Sequence, residues 1–269
     1  MENFKSVYGV IGNPVGHSLS PYMHNLAFEW ECVKGVYHAF KVIDIEKAVQ
    51  GMRGLGIKGF SVTIPHKETI MPYLDKISED ALKIGAVNTV INKDGYLYGD
   101  NTDWKGVLHS LRDNIEIKNK KVLVIGAGGA ARGVSHAVNY DGGNLYITNR
   151  TEEKGLNIAK EFAGNFVKMD EIFSLNPDVV INSTSVGMYP NINKSPVNIS
   201  DLKSVKLALD IVYNPVETKF LKEARQKGIK AVSGIGMFVY QGEAQFRMWT
   251  GNGFDTLKMK EKIFHILNN

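Results

Sequence analysis

The stretch from Lys120 to Arg132, Lys-Lys-Val-Leu-Val-Ile-Gly-Ala-Gly-Gly-Ala-Ala-Arg, leaves few folds open to this chain. Val122 to Ile125 is an apolar run that suits a strand buried on both faces. Gly126, Gly128 and Gly129 then break it, and a helix-compatible run starts at Ala130. A strand, a glycine turn and a helix in that order form the dinucleotide-binding pattern. Gly126 serves the tight turn, Gly128 lets the backbone approach a pyrophosphate, and Ala131 allows close packing of helix on strand. The phosphates then sit on the unpaired N–H groups of the helix N-terminus, favoured by its partial positive charge. Any tight strand–helix turn can produce such glycines, so the rest of the chain has to decide.

The remaining segments are compatible with an α/β protein. Val7–Ile11, Val36–Val42 and Gly59–Ile64 read as strands, and Asp44 can cap a helix through Met52. This alternation argues for a parallel sheet with helices on its faces. Asp94-Gly95 between two β-rich runs marks a hairpin, and Ser78–Ile84 reads as a short helix. Beyond the glycine turn come a helix from Ala130 to Tyr140, a strand at Leu145–Thr148 and a helix from Glu152 to Phe162. Strands at Val179–Asn182, Leu207–Ile211 and Lys230–Val232 follow, then helices at Met237–Trp249 and Phe254–Leu267. A domain boundary belongs near Asp103–Asn119, where the chain turns polar.

Ligands of such sheets bind beyond the carboxyl ends of the strands, and polar residues collect there. Ser18 and Ser20 follow the first strand, with Ser20 suited to N-cap the next helix and Pro21 to its first turn. They are capping residues or ligands of a polar molecule. Thr63 and Lys67 follow the third strand, and Lys67 is either solvated or functional. Asn88 is a turn residue or a ligand, and Asp103 is a helix cap or a functional carboxylate. The second contact of a dinucleotide falls about 20 residues past the glycines, here Thr148-Asn149-Arg150-Thr151, with Lys154 one turn later. A guanidinium there clamps a 2′-phosphate that a carboxylate would repel. The reading is NADP, with Glu152 and Glu153 keeping NAD as the alternative.

Composition excludes several classes. A net charge of +4 over 269 residues is too small to argue for nucleic acid and suits anionic small molecules. Cys32 is the only cysteine, which removes disulfides and fits a reducing cytoplasm. The histidines show no metal-binding spacing, so no metal is expected. No run approaches the roughly 18–20 apolar residues of a membrane span. Met-Glu-Asn-Phe-Lys has no basic n-region followed by an apolar stretch, so neither a secretory signal nor membrane residence is expected.

Taken together, the motifs resemble the shikimate dehydrogenase family. They run in its order: Ser-Leu-Ser-Pro, Val-Thr-Ile-Pro-His-Lys, Gly-Ala-Val-Asn-Thr, Asn-Thr-Asp, Gly-Ala-Gly-Gly-Ala, Asn-Arg-Thr, Asn-Ser-Thr-Ser-Val-Gly-Met and Tyr-Asn-Pro. The resemblance implies reversible NADPH-dependent reduction of 3-dehydroshikimate to shikimate, the fourth of seven steps towards chorismate and the aromatic amino acids. It implies two α/β domains with the active site in the cleft between them. An N-terminal substrate domain with a mainly parallel sheet would comprise residues 1–103 and 237–269, and a Rossmann-like NADP-binding domain residues 104–236. Lys67 and Asp103 map to the family's proton-transfer pair. Ser18, Ser20, Thr63, Asn88, Tyr213 and Gln241, with that pair, map to its substrate ligands. Gly126, Ala127, Gly128, Gly129, Ala130, Asn149, Arg150, Thr151 and Lys154 map to its NADP contacts, with Ile211, Gly234 and Glu79 as further ones.

Two residues depart from the family pattern. Ser61 stands where Asn is usual, which would shorten or remove a hydrogen bond near the substrate. Trp104 stands where a small residue is frequent, which bears on the shape of the cleft. Rival readings are an NAD-using quinate/shikimate dehydrogenase and a non-catalytic ligand sensor. Oligomeric state stays open, a homodimer among the options.

Overall fold

The structure, a computed structural model, describes residues 4–268. The chain divides into two compact units, residues 1–102 with 241–259, and residues 103–240 with 260–269.

The first unit runs β1 (Ser6–Gly12), α1 (Ser20–Trp30), β2 (Gly35–Lys41), α2 (Ile45–Gly54), β3 (Gly59–Val62), α3 (His66–Thr69), β4 (Lys76–Ile77), α4 (Glu79–Ile84), β5 (Thr89–Lys93) and β6 (Tyr96–Asp100). Its six-stranded sheet has the order β2-β1-β3-β5-β6-β4. β1 pairs in parallel with β2 and β3, whereas β5 runs antiparallel to both β3 and β6. Asp94 and Gly95 both have positive φ, +51° and +91°, as a two-residue hairpin of the favoured twist requires. Asp44 caps α2, its carboxylate accepting from the Lys47 N–H, and the Ser78 hydroxyl caps α4 by accepting from the Ala81 N–H. One sheet face buries Ile11, Val49, Met52, Phe60, Val62, Val90 and Leu97. An aromatic cluster of Tyr8, Phe28, Tyr37, Phe246 and Trp249 surrounds His24. Burial holds the His24 pKa down to about 3, slightly offset by the neighbouring Gln245 amide, so this imidazole is a neutral packing group.

The second unit runs α5 (Asp103–Arg112), β7 (Lys121–Ile125), α6 (Gly129–Tyr140), β8 (Asn144–Thr148), α7 (Glu152–Glu161), β9 (Asn165–Phe166), α8 (Ile172–Leu175), β10 (Val179–Asn182), β11 (Leu207–Asp210), α9 (Lys219–Gln226) and β12 (Lys230–Val232), and the chain closes with α10 (Ile235–Thr250) and α11 (Thr256–Asn268), whose residues 241–259 belong to the first unit. All its sheet pairings are parallel, in the order β12-β11-β10-β7-β8-β9. The reversal of strand order beside β7 is the switch point at which ligands of doubly wound sheets bind. Leu123, Ile125, Val180, Ala208, Phe220 and Leu221 form one core cluster, each large side chain stabilising the fold by about 1.5–3 kcal/mol. Among the described residues no helix is long and apolar enough to cross a membrane.

Several local expectations are corrected. Ser20 is not the N-cap of α1: Leu19 holds that position, and Ser20 is the first helical residue. The Ser18 hydroxyl instead accepts from the Ser20 N–H at 3.2 Å. β3 ends at Val62, two residues early, because the chain turns at Thr63 to lead into α3. α9 had no sequence expectation, since only eight residues and three buried positions carry it; Thr218 caps it, and Phe220, Leu221 and Ala224 face the core. The division between the compact units falls inside α10, between Tyr240 and Gln241, and inside α11, between Met259 and Lys260.

Candidate functional site

The carboxyl edge of the first sheet gathers most of the polar residues singled out above. Thr63 follows β3 and is tied back by its N–H to the Ile11 carbonyl, 2.9 Å. It fits only because residue 12 is glycine, as a Cβ there would come within 2.4 Å of Thr63 Cγ2. The Thr63 carbonyl accepts from the His66 N–H at 2.9 Å and starts the one-turn helix α3. His66 is buried, with Nε2 2.9 Å from the Val42 carbonyl, and so pins that turn to the sheet. Lys67 is thereby fixed in its backbone, and its carbonyl accepts from the Val87 N–H at 2.8 Å, one residue from Asn88. Asn88 itself accepts from the Thr102 N–H at 2.7 Å and donates to the Thr102 hydroxyl at 3.1 Å. The geometry thus brings Thr63, Lys67 and Asn88 onto one edge, with Ser18 and Ser20 at the end of the neighbouring β1 segment. Glu79 lies elsewhere, exposed at the start of α4 behind the edge strand β4, three strands from β3. Gln241 is half-buried on the part of α10 that belongs to this unit.

Ser61, the residue that departs from the family's Asn, is engaged in the interior of the unit. Its hydroxyl accepts from Tyr37 Oη at 2.5 Å and donates to Gln245 Oε1 at 2.7 Å. Gln245, missed from the sequence because a lone Gln on a helix carries no signal, donates to the Asn88 carbonyl and to Thr89 Oγ1.

In the second unit, the turn after β7 has the shape its glycines suggested. Gly126 has φ +118°, and a Cβ there would meet Ser183 Oγ at 2.7 Å. Its N–H donates to the Thr148 carbonyl at 2.9 Å, which joins the turn to the end of β8. Gly128 and Gly129 have nothing within 4 Å of where a Cβ would sit, and no side chain caps α6. A bare helix N-terminus with an open approach is the cradle a pyrophosphate needs; Ala127 and Ala130 flank it. Ala131 is fully buried at the helix–sheet contact. Arg150 lies exposed just past β8, on the strand next to β7. Asn149 Nδ2 donates to the Thr151 carbonyl at 2.9 Å, and Lys154 is exposed one turn into α7. These residues therefore fit a dinucleotide with a phosphate on its adenosine ribose.

Past β11, Ile211 donates its N–H to the Asn182 carbonyl, and a Cβ on Gly234 would come within 2.3 Å of the Ile211 carbonyl oxygen. Tyr213 stacks on Phe238 with ring centroids 4.9 Å apart. Ser183 and Thr184, in a motif quoted above only for its order, press against Gly126 and help to shape the cofactor turn. Asp103 opens α5, its Cβ 3.7 Å from where a Cβ on Gly133 would lie. Trp104 is buried within the second unit, edge-on to His136 at 4.9 Å and against Tyr140. Its bulk is absorbed by the packing of α5 on α6.

Asp210, fully buried at the end of β11, holds this loop cluster together. It accepts from the Thr218 hydroxyl at 2.7 Å, Asn182 Nδ2 at 3.0 Å and the Val212 N–H at 3.0 Å. Burial pushes its pKa up to about 6, against the lowering effect of those donors. A carboxyl raised in the folded state favours folding below its unfolded pKa near 4, and that contribution disappears as pH climbs to about 6. Asp210→Asn, with Thr218 turning from donor to acceptor, is expected to remove this pH dependence, on the order of 2 kcal/mol. Urea midpoints measured between pH 4 and 7 check it, and parallel curves for variant and parent would refute it.

Comparison with known proteins covers both units. Residues 10–90 match the shikimate dehydrogenase substrate binding domain, residues 109–222 the shikimate/quinate 5-dehydrogenase family and residues 234–264 the shikimate 5′-dehydrogenase C-terminal domain. A shikimate dehydrogenase (NADP(+)) from Caldanaerobacter subterraneus is 43% identical, over 98% of this chain and 98% of its own. A solved shikimate dehydrogenase in complex with NADP+ superposes with a TM-score of 0.94 at 41% identity, over 98% of this chain and 96% of that one. The Thermus thermophilus enzyme in complex with NADP(H) and shikimate gives 0.92 at 35% identity, over 97% and 100%. With full-length identity at this level and all three family segments in order, the chain belongs to the shikimate dehydrogenase family.

Proposed function

We propose that this chain catalyses the reversible, NADP-dependent interconversion of 3-dehydroshikimate and shikimate. One observation carries the reading: Thr63, Lys67 and Asn88 share one sheet edge, in a chain similar end to end to a relative solved with NADP(H) and shikimate. Bound NADPH would supply the hydride, and NADP+ would take it back. The protein's own groups do the rest. Reduction of a ketone leaves negative charge on oxygen, and the Lys67 ammonium stabilises it and delivers the proton. In the oxidative direction the same nitrogen takes that proton back. Asp103 is the second member of the proton-transfer pair.

Ser18 and Ser20 suit the substrate carboxylate, and Asn88 and Gln241 its ring hydroxyls. Unpaired polar groups would penalise a substrate lacking a hydroxyl. Gly126 to Ala130, Asn149 to Lys154, Ile211 and Gly234 are the cofactor contacts we assign, with Glu79 a further one. The test is absorbance at 340 nm with shikimate plus NADP, repeated with NAD and with quinate. Rapid reduction of NADP by shikimate is expected. Preference for NAD with quinate would move the chain to the rival dehydrogenase, and no turnover with any pair would favour the sensor.

A further inference from the structure

Five buried polar residues of the first unit, Tyr37, Ser61, Gln245, Thr89 and Asn88, form a directed hydrogen-bond chain, and it ends on a proposed substrate ligand. Tyr37 lies under 3% exposed, and burial raises its pKa far above the ordinary phenol value, so its hydroxyl is a donor at any working pH. It donates to Ser61 Oγ, 2.5 Å, and Ser61 donates in turn to Gln245 Oε1, 2.7 Å. That fixes which end of the Gln245 amide points where, since an amide nitrogen cannot accept. Gln245 Nε2 then spends its two hydrogens on the Asn88 carbonyl, 3.1 Å, and Thr89 Oγ1, 3.0 Å. Thr89, obliged to accept from Gln245, turns its own proton to Asn88 Oδ1 at 2.7 Å. The Thr102 N–H donates to that same oxygen, one residue before Asp103 in the chain. At the other end, the Ser20 hydroxyl is a further partner of Tyr37.

We propose that Gln245 is a positioning residue for substrate binding. It sits at 1% exposure on α10 and bridges the seam where Ser61 and Thr89 face each other across the antiparallel β3–β5 pair. By setting the direction of every proton between Tyr37 and Asn88, it holds the Asn88 amide with its oxygen inward and its nitrogen turned to donate. Without it the Thr89 hydroxyl is free to rotate, the Asn88 carbonyl loses a donor, and a buried Ser61 hydroxyl is left without its acceptor. Networks of this kind act as units, so the loss spreads along the chain of bonds. The inference rests on the assignment of Asn88 as a substrate ligand.

The experiment separates the two. Shikimate oxidation by the unaltered protein is measured first, and if there is none the functional reading fails whatever Gln245 does. Given turnover, Gln245→Met is expected to raise the KM for shikimate about tenfold, with kcat per folded enzyme within about twofold and the KM for NADP unchanged. The double variant with Asn88→Ala should then be no worse than Asn88→Ala alone, because both act through one contact. A merely structural role predicts the reverse: lower kcat in step with the folded fraction, an unchanged KM, and additive losses. Either an unchanged KM or additivity overturns the proposal. If Gln245→Met does not fold, Tyr37→Phe, which keeps the ring packing, decides: a KM raised about threefold supports the proposal and an unchanged KM refutes it.

Discussion

Replacement of Lys67 by alanine is expected to lower kcat by about 10³-fold or more, the scale of a lost general acid, while leaving the KM for NADPH nearly unchanged. The asymmetry follows from where the residue stands. Lys67 belongs to the first unit, on the one-turn helix α3, whereas the glycine turn and Arg150 belong to the second. Its backbone, not its side chain, makes the 2.8 Å bond to Val87 and completes the turn pinned by His66, so alanine keeps the local fold. In the proposed role, what disappears is a cation at the oxygen where charge develops, an interaction stronger in the transition state than in the ground state. Steady-state kinetics in both directions, with circular dichroism as a control on folding, read the effect. Near-normal kcat in a folded Lys67→Ala protein would remove Lys67 from the mechanism.

The second large effect concerns cofactor choice. Arg150→Ala is expected to raise the KM for NADPH by about ten- to a hundredfold, the worth of a charge-assisted bidentate contact. The KM for NADH should hardly move, because an unmodified ribose offers no phosphate to that guanidinium. Arg150 is exposed past the end of β8, next to the strand that carries the glycine turn, so its removal costs the fold little. Glu152 and Glu153 stand at the first turn of α7, where they suit the helix's positive end as well as any ribose. Equal losses with both cofactors would show that Arg150 does not read the 2′-phosphate.

How much of this was legible before folding depends on whether a feature is local. The glycine turn, the Asp-Gly hairpin, the caps at Asp44 and the β-branched strands are short-range devices, and each lies where the sequence indicated. Ser20 misled because a hydroxyl before proline has two outlets, and here Ser18 supplies the local bond while Ser20 faces Tyr37. α9 escaped notice because eight residues hold too few turns for periodicity to stand out. The two departures from the family pattern resolved only through packing. Trp104 fills a space between α5 and α6 beside His136 and Tyr140, and Ser61 is extended by a glutamine 184 positions away.

The sequence by itself determined a two-domain α/β chain, the dinucleotide turn, the basic residue proposed to meet a 2′-phosphate and the motif residues of the family. These rest on backbone propensity, side-chain charge and order along the chain, all of which survive in the linear string. Tertiary structure alone decided which polar groups face one another in the interior: the Tyr37–Ser61–Gln245–Asn88 chain, and the donors around Asp210. The physical reason is that a buried polar atom must find partners, and which ones it finds depends on strands and helices brought together from distant parts of the chain.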